Sequence, residues 1–189
     1  MGGSRDMTST TFTGLDIGDI TDFESSSEMT HSAWYQFDST AVNTVTFCTK
    51  WAASSAGNIA FTVTMGSAPK MYVNGVEDST TYISGTLPSG SDTFSTDAGH
   101  VVFGGFDSTS GLELNGRTVY HQLFDRALTQ PEIYEIMYKP GSIRENMISF
   151  QTMLGDSGTS EKEIFKGRTG TVINGAEFSD GPPIAGVSL

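Results

Sequence analysis

Short runs of alternating apolar and polar residues recur along most of this chain, and they constrain its fold more than any other feature. Alternate side chains of a β-strand point to opposite faces of a sheet, so such a run buries one face and exposes the other. β-Branched and aromatic residues, which favour strands, are frequent in these runs. We predict strands at residues 29–37, 44–49, 58–65, 71–73, 80–83, 101–106 and 118–124.

Clusters of turn-forming residues separate the predicted strands. Two of them contain the Asn-Gly pairs 74–75 and 115–116, and Asn-Gly favours the positive φ angles of a tight hairpin. Further clusters lie at residues 53–57, 88–92 and 107–111. A turn after each short strand is typical of an antiparallel sandwich and not of a parallel α/β sheet. We therefore predict an all-β sandwich.

One short helix is predicted near residue 130. Thr129 and Glu132 have the spacing of a capping box, and Pro131 suits the first helical turn. Pro140 and Gly141 end the helix after about two to three turns. The apolar face of the helix is formed by Ile133, Ile136 and Met137.

The chain changes character after residue 141. Residues 142–189 are largely polar and contain too few apolar side chains for a core of their own. We therefore divide the chain into a sandwich, 1–141, and an extended C-terminal arm, 142–189. Two interpretations of the arm stay open, a disordered tail and an ordered segment that lies on a partner. The apolar anchors of an ordered arm are Ile164, Phe165, Val172, Ile173 and Phe178.

The charge of the chain excludes two classes of partner. It has 10 Lys and Arg against 22 Asp and Glu, which gives a formal net charge of −12 at pH 7. Nucleic acids and anionic membranes both bind clustered Lys and Arg, which are scarce here. We expect no nucleic-acid partner and no membrane partner.

The sequence lacks the usual signs of a secreted protein. Cys48 is the only cysteine, so no intramolecular disulfide forms, and there is no Asn-x-Ser/Thr acceptor for glycosylation. The N-terminus has no apolar signal region, and no apolar run approaches the roughly 20 residues of a membrane span. We expect folding in a reducing cytoplasm and release by lysis.

Several segments resemble the laminin-G-like, or concanavalin A-like, jelly-roll superfamily. The most specific is 115–133, whose Leu-Phe-Asp-Arg-Ala-Leu-Thr run is similar to the closing signature of the family. The others are residues 27–34, 58–62, 70–76 and 102–106. The resemblance implies an antiparallel jelly-roll β-sandwich with one short helix, and it leaves the C-terminal arm uncovered.

The sequence departs from that family at two places. Between Trp51 and Asn58 it is shorter than the family usually allows. Family members often carry paired aspartates before the closing strand, and here Val119 and Tyr120 stand at those positions. The second departure puts the calcium site of the family in doubt.

Catalytic motifs are absent from the sequence. Glycosidases of this superfamily place alternating carboxylates on one strand, and here Glu113 stands alone. There is also no Gly-x-Ser-x-Gly elbow, no zinc-protease motif and no phosphate-binding loop. A triad built on His31, His100 or His121 stays open, although a single histidine on a strand is usually a polar-face residue. We predict no catalytic residue, and hence a protein that is not an enzyme.

A few side chains are candidates for metal or sugar binding. Asp16, Asp19 and Asp107 are candidate oxygen ligands of a structural calcium ion, and the alternative is that they cap turn amides. We expect no other cofactor. Trp51 and Tyr82 lie near loops, where an exposed ring can stack on a sugar, and the alternative is a packing role.

Two functions of different kinds remain in competition. The resemblance and the expected compartment favour a non-catalytic virion protein of a tailed bacteriophage, either a capsid-decorating or cement protein or an appendage. Such a protein would dock through its arm on the major capsid protein or another virion protein, and a homotrimer would suit the threefold sites of a capsid. The alternative is a carbohydrate-binding module or adhesin that binds a glycan on a cell or particle surface.

Overall fold

The computed structural model describes eight stretches of the chain, residues 3–6, 14–37, 56–78, 89–94, 100–103, 116–154, 159–173 and 177–180. Trp51, Tyr82 and Asp107 lie outside these stretches, as do the strands predicted at 44–49 and 80–83. Within the described stretches, no helix is long and apolar enough to cross a membrane.

Twelve strands and one α-helix lie in these stretches. In chain order the strands are β1 (Gly3–Asp6), β2 (Gly14–Asp19), β3 (Glu28–Phe37), β4 (Ala56–Thr64), β5 (Lys70–Val73), β6 (Val76–Asp78), β7 (His100–Phe103), β8 (Gly116–Phe124), β9 (Met147–Gln151), β10 (Ser160–Lys162), β11 (Thr169–Ile173) and β12 (Glu177–Asp180). A 3-10 turn at Thr21–Phe23 follows β2, and helix α1 (Gln130–Tyr138) follows β8. Four predicted strands are confirmed as β3, β4, β5 and β8, and the first part of a fifth as β7.

The strands form two sheets. The first sheet has the order β12-β1-β8-β3-β4-β5-β6, and β9 pairs with the second half of β8. The second sheet has the order β10-β11-β2-β7. Each described pair is antiparallel. The fold is therefore the predicted antiparallel β-sandwich with one short helix.

Strand β3 shows which face of the first sheet is inside. His31 of β3 stacks on Phe103 of β7, in the second sheet, with ring centroids 5.4 Å apart. Tyr35 lies on the same face by alternation and is buried as well. Trp34 points to the opposite face, where its Nε1 donates to the carbonyl oxygen of Met137 in α1 at 3.2 Å. The helix therefore packs on the outer face of the first sheet.

Strand β8 is buried on both faces along most of its length. It pairs with β3 on one side and with β1 and β9 on the other. Tyr120 has a φ of 58°, which strand residues rarely adopt, and the register with β3 shifts between Ser32 and Trp34. Because of this bulge, Thr118 and His121 point to the same face although they lie three residues apart, and their side chains meet at 2.6 Å.

The predicted capping box is present at the start of α1. Glu132 Oε2 accepts hydrogen bonds from the backbone N–H and the hydroxyl of Thr129, both at 2.8 Å. The Arg126 guanidinium donates to both carboxylate oxygens of Glu132, at 3.1 and 2.7 Å. These contacts, that of Arg126 foremost, lower the pKa of Glu132 to about 2. The predicted apolar face is also confirmed, since Ile133, Ile136 and Met137 are buried.

The predicted C-terminal arm lies on the sandwich itself. Strand β9 pairs with β8, β11 pairs with β2, and β12 pairs with β1. The physical reason is that the edges of both sheets carry backbone N–H and C=O groups that need partners, and the arm supplies them.

The apolar anchors of the arm have different surroundings. Phe165 and Val172 pack against the core, and Ile173 is half-buried. Ile164 is 56% exposed, and Phe178 lies in β12 opposite Arg5. Their role in docking a partner stays a prediction.

Glu163, which lies just after β10, is a buried carboxylate that joins β9 to the β10–β11 hairpin. It is 1% exposed. Its Oε1 accepts the backbone N–H groups of Phe150 and Phe165, both at 3.0 Å, and its Oε2 accepts that of Lys166 at 2.8 Å. With the longer bond from the Arg168 N–H to Oε2 at 3.5 Å, one side chain thereby accepts from four backbone donors of the arm.

We predict that Glu163→Gln lowers the free energy of unfolding by about 2 kcal/mol, because the new amide would direct a donor at backbone donors. Urea unfolding at pH 7, followed by circular dichroism, measures the change. Glu135→Gln makes the same substitution at an exposed position of α1 and should unfold at the wild-type urea concentration. Equal midpoints for the two variants would contradict the role assigned to Glu163.

Candidate ligand-binding groove

The aspartates predicted as calcium ligands differ in their surroundings. Asp16 Oδ1 accepts the backbone N–H of Gly18 at 2.8 Å, which is a turn-capping contact, and Asp19 is exposed. In the described part of the chain, no three His, Cys, Asp or Glu side chains are grouped so that they could hold a metal ion. Asp107 lies outside that part, so the calcium site stays a prediction.

Val119 and Tyr120 do not fit the calcium site that the family resemblance implies. Both side chains are buried in the core. Neither is a carboxylate, and hard cations such as Ca²⁺ take oxygen ligands from carboxylates and carbonyls. This part of β8 therefore supplies packing and no acidic ligand.

Two of the three histidines meet between the sheets. His31 Nε2 and His121 Nδ1 are 3.0 Å apart, and His121 Nε2 is 2.6 Å from the Thr118 hydroxyl. Phe103 packs against both rings, with centroid distances of 5.4 and 4.2 Å. Burial lowers the pKa of His31 to about 4, and burial together with His31 lowers the pKa of His121 well below its ordinary value.

This histidine pair is closed off from solvent. His31 and His121 are 4% and 1% exposed, so a substrate has no access to either ring. The neighbour of His121 across the β8–β9 pair is Gln151, which is also buried. Both amide atoms of Gln151 lack a hydrogen-bond partner among the described residues. The interior therefore contains several buried polar side chains at this point.

An open groove lies on the outer face of the first sheet, beside the start of α1. Its volume is about 460 Å³. Strands β4, β5 and β6 form the floor, where Thr62, Tyr72 and Glu77 line it. The segment that leads into α1 forms the wall, with Thr129 and Gln130.

A row of hydrogen-bonding side chains crosses the floor of this groove. Lys70 Nζ lies 3.3 Å from Glu77 Oε2. Tyr72 and Glu77 are cross-strand partners, and both side chains line the groove. Burial, and after it the charge of Glu77, raises the pKa of Tyr72. The floor therefore presents a hydroxyl, an ammonium and a carboxylate side by side.

The sequence predicts ligand binding at Trp51 and Tyr82, which lie outside the described residues, and does not predict this groove. The floor of the groove could have been predicted from the sequence. Tyr72 and Glu77 are paired across the Asn-Gly hairpin, and Lys70 lies two residues before Tyr72 on the same face. The wall of the groove could not be predicted from the sequence, because its position depends on where α1 packs.

Comparisons with known proteins show the fold and no family. No protein-family model matches the chain, and no curated protein matches it. One similar solved structure is that of a protein from Bacteroides ovatus whose proposed role is carbohydrate binding. Its TM-score is 0.69 at 14% identity, over 96% of this chain and 60% of that one. The two share a fold. The chain thus spans three fifths of the length of this structural relative.

We predict that the protein loses stability as the pH falls from 6.5 towards 4. His31 titrates near 6.5 in an unfolded chain and at about 4 in the fold, so the unfolded state takes up a proton first. The loss from His31 alone is about 3 kcal/mol. Glu132, whose pKa is about 2, contributes a loss only below pH 4.5.

Urea unfolding at pH 7, 6, 5 and 4.5 measures this dependence. Imidazole nitrogen chemical shifts, recorded by NMR over the same range, separate the histidines from the carboxylates. We expect both buried rings to be neutral at pH 5.5. A ring that titrates near 6.5 in the folded protein would contradict the assignment.

Proposed function

We propose that this chain is a non-catalytic carbohydrate-binding module and that the groove beside α1 binds the glycan. The row of Lys70, Tyr72 and Glu77 carries the proposal, because it brings an ammonium, a phenolic hydroxyl and a carboxylate together on the floor of the groove, where Lys70 and Glu77 are paired. Sugar hydroxyls are both donors and acceptors and are recognised by such fixed polar groups in a concave site. The proposed role of the Bacteroides ovatus protein, which has the same fold, supports this assignment.

The charges around the groove favour a neutral glycan. Lys70 is paired with Glu77, so the positive charge at the floor is compensated. The whole chain carries a formal net charge of −12, which repels uronic acids and sulfated sugars. Neutral hexose or pentose polymers are therefore the expected ligand class.

The virion hypothesis stays a prediction, and so do its capsid partner, its trimer and its location. The arm that was expected to dock on a capsid contributes strands to both sheets of the sandwich. Deletion of residues 155–189 would remove β10, β11 and β12, so it would disturb the sheets and not merely detach an anchor. A glycan-binding module remains compatible with display on a particle.

We predict that the protein binds one or more neutral glycans. Tyr72→Phe should weaken this binding about ten-fold, because it removes the buried phenolic hydroxyl while keeping the ring. An array of neutral and acidic oligosaccharides selects the ligand, and titration calorimetry with the best neutral glycan gives the affinity. Tyr120→Phe makes the same change away from the groove and should bind like the wild type. The proposal fails if no glycan binds or if Tyr72→Phe retains full affinity.

A further inference from the structure

Two exposed tyrosines continue the line of the groove along α1. Gln130, which lines the groove, is followed at four-residue spacing by Tyr134 and Tyr138. Residues at this spacing share one face of a helix, and each step rises by about 6 Å. Tyr134 is 49% and Tyr138 is 42% exposed, although large aromatic side chains are usually buried. The helix therefore presents a polar group and two rings in a row that begins at the groove.

The groove and the two rings are joined by one turn of the first sheet. Gln130 Nε2 donates to the carbonyl oxygen of Gly75 at 3.2 Å. The Tyr134 ring lies against the same residue, since a Cβ atom at Gly75 would come within 2.5 Å of Tyr134 Cδ2. The surface is thus continuous from the groove to the rings.

The rings are held in place before any ligand arrives. Tyr134 and Tyr138 pack edge to face with centroids 5.0 Å apart, and their hydroxyl oxygens are 3.4 Å apart. Packing on Gly75 restrains Tyr134 further. A side chain that is already ordered loses little conformational entropy on binding, so such rings suit a ligand that has flat apolar faces.

We propose that Gln130, Tyr134 and Tyr138 form a second sugar subsite, so that the ligand is a linear oligosaccharide and not a single sugar. The inference rests on the proposed function of the groove and deepens it. One sugar unit occupies the groove, and the units that follow stack on the tyrosine rings. One helical turn is about 5.4 Å, comparable with the length of a sugar unit in an extended chain, so the row matches successive units.

The test compares ligands of different length on variants of the whole chain. The probes are the monosaccharide, trisaccharide and hexasaccharide of β-linked glucose, xylose and mannose, with affinities measured by calorimetry. For the series that binds, we expect the wild type to bind the hexasaccharide about ten-fold more tightly than the monosaccharide. Tyr138→Ala should remove this gain and leave the monosaccharide affinity unchanged. Tyr138→Phe keeps the ring and should retain the gain.

The outcomes separate this inference from the proposed function. If hexasaccharide and monosaccharide bind equally, or if Tyr138→Ala has no effect while Tyr72→Phe weakens binding, the second subsite is wrong and the groove assignment stands. If no member of any series binds, both are wrong. Tyr134→Ala removes the other ring of the row and also its packing on Gly75. Thermal unfolding of Tyr138→Ala should match that of Glu135→Ala, an exposed change on the same helix that lies off the row, whereas Tyr134→Ala should unfold at a lower temperature because it loses the packing on Gly75.

Discussion

A single buried hydroxyl holds the chain where it leaves β8 and turns towards α1. The Thr30 hydroxyl donates to the carbonyl oxygen of Arg126 and accepts the backbone N–H of Leu128, both at 2.8 Å. Thr30 is fully buried, so neither backbone group has water as an alternative partner. Glu28, two residues earlier on the same face of β3, accepts the N–H of Ala127 at 3.2 Å. The wall of the groove, the start of the helix and the tyrosine row all take their positions from these contacts.

The inner face of the first sheet is closed at the histidine pair. The bulge at Tyr120 brings Thr118 and His121 to one face, and the histidine pair then fills the space against Phe103. Two neutral imidazoles can share a hydrogen bond in this buried space, whereas charged ones would be costly there because they are removed from water. The space between the sheets is therefore occupied by protein at this point, whereas the groove beside α1 is open on the outer face.

The helix, four of the twelve described strands and part of a fifth could be predicted because their determinants are local. The start of the helix depends only on Thr129, Pro131 and Glu132. Each predicted strand is indicated by its own alternation of apolar and polar residues. The strands of the arm are different, because β11 pairs with β2 from the opposite end of the chain and its sequence carries little apolar content. The pairing of β11 depends on the open edge of the sheet at β2, which is a property of the folded sheet and not of the arm. The groove escaped prediction for a related reason, since half of it is the packing position of α1.

Gly75 meets two structural requirements at once, a positive φ in the hairpin and close contact with the Tyr134 ring. Its φ of 77° is what the hairpin between β5 and β6 requires, and this alone accounts for an Asn-Gly pair. The absence of a side chain also lets the Tyr134 ring approach and leaves the backbone carbonyl free to accept from Gln130. The same turn therefore sets the register that pairs Tyr72 with Glu77 and seats the exposed ring of the helix. A rigid hairpin is the element that makes a polar groove and an aromatic row into one surface.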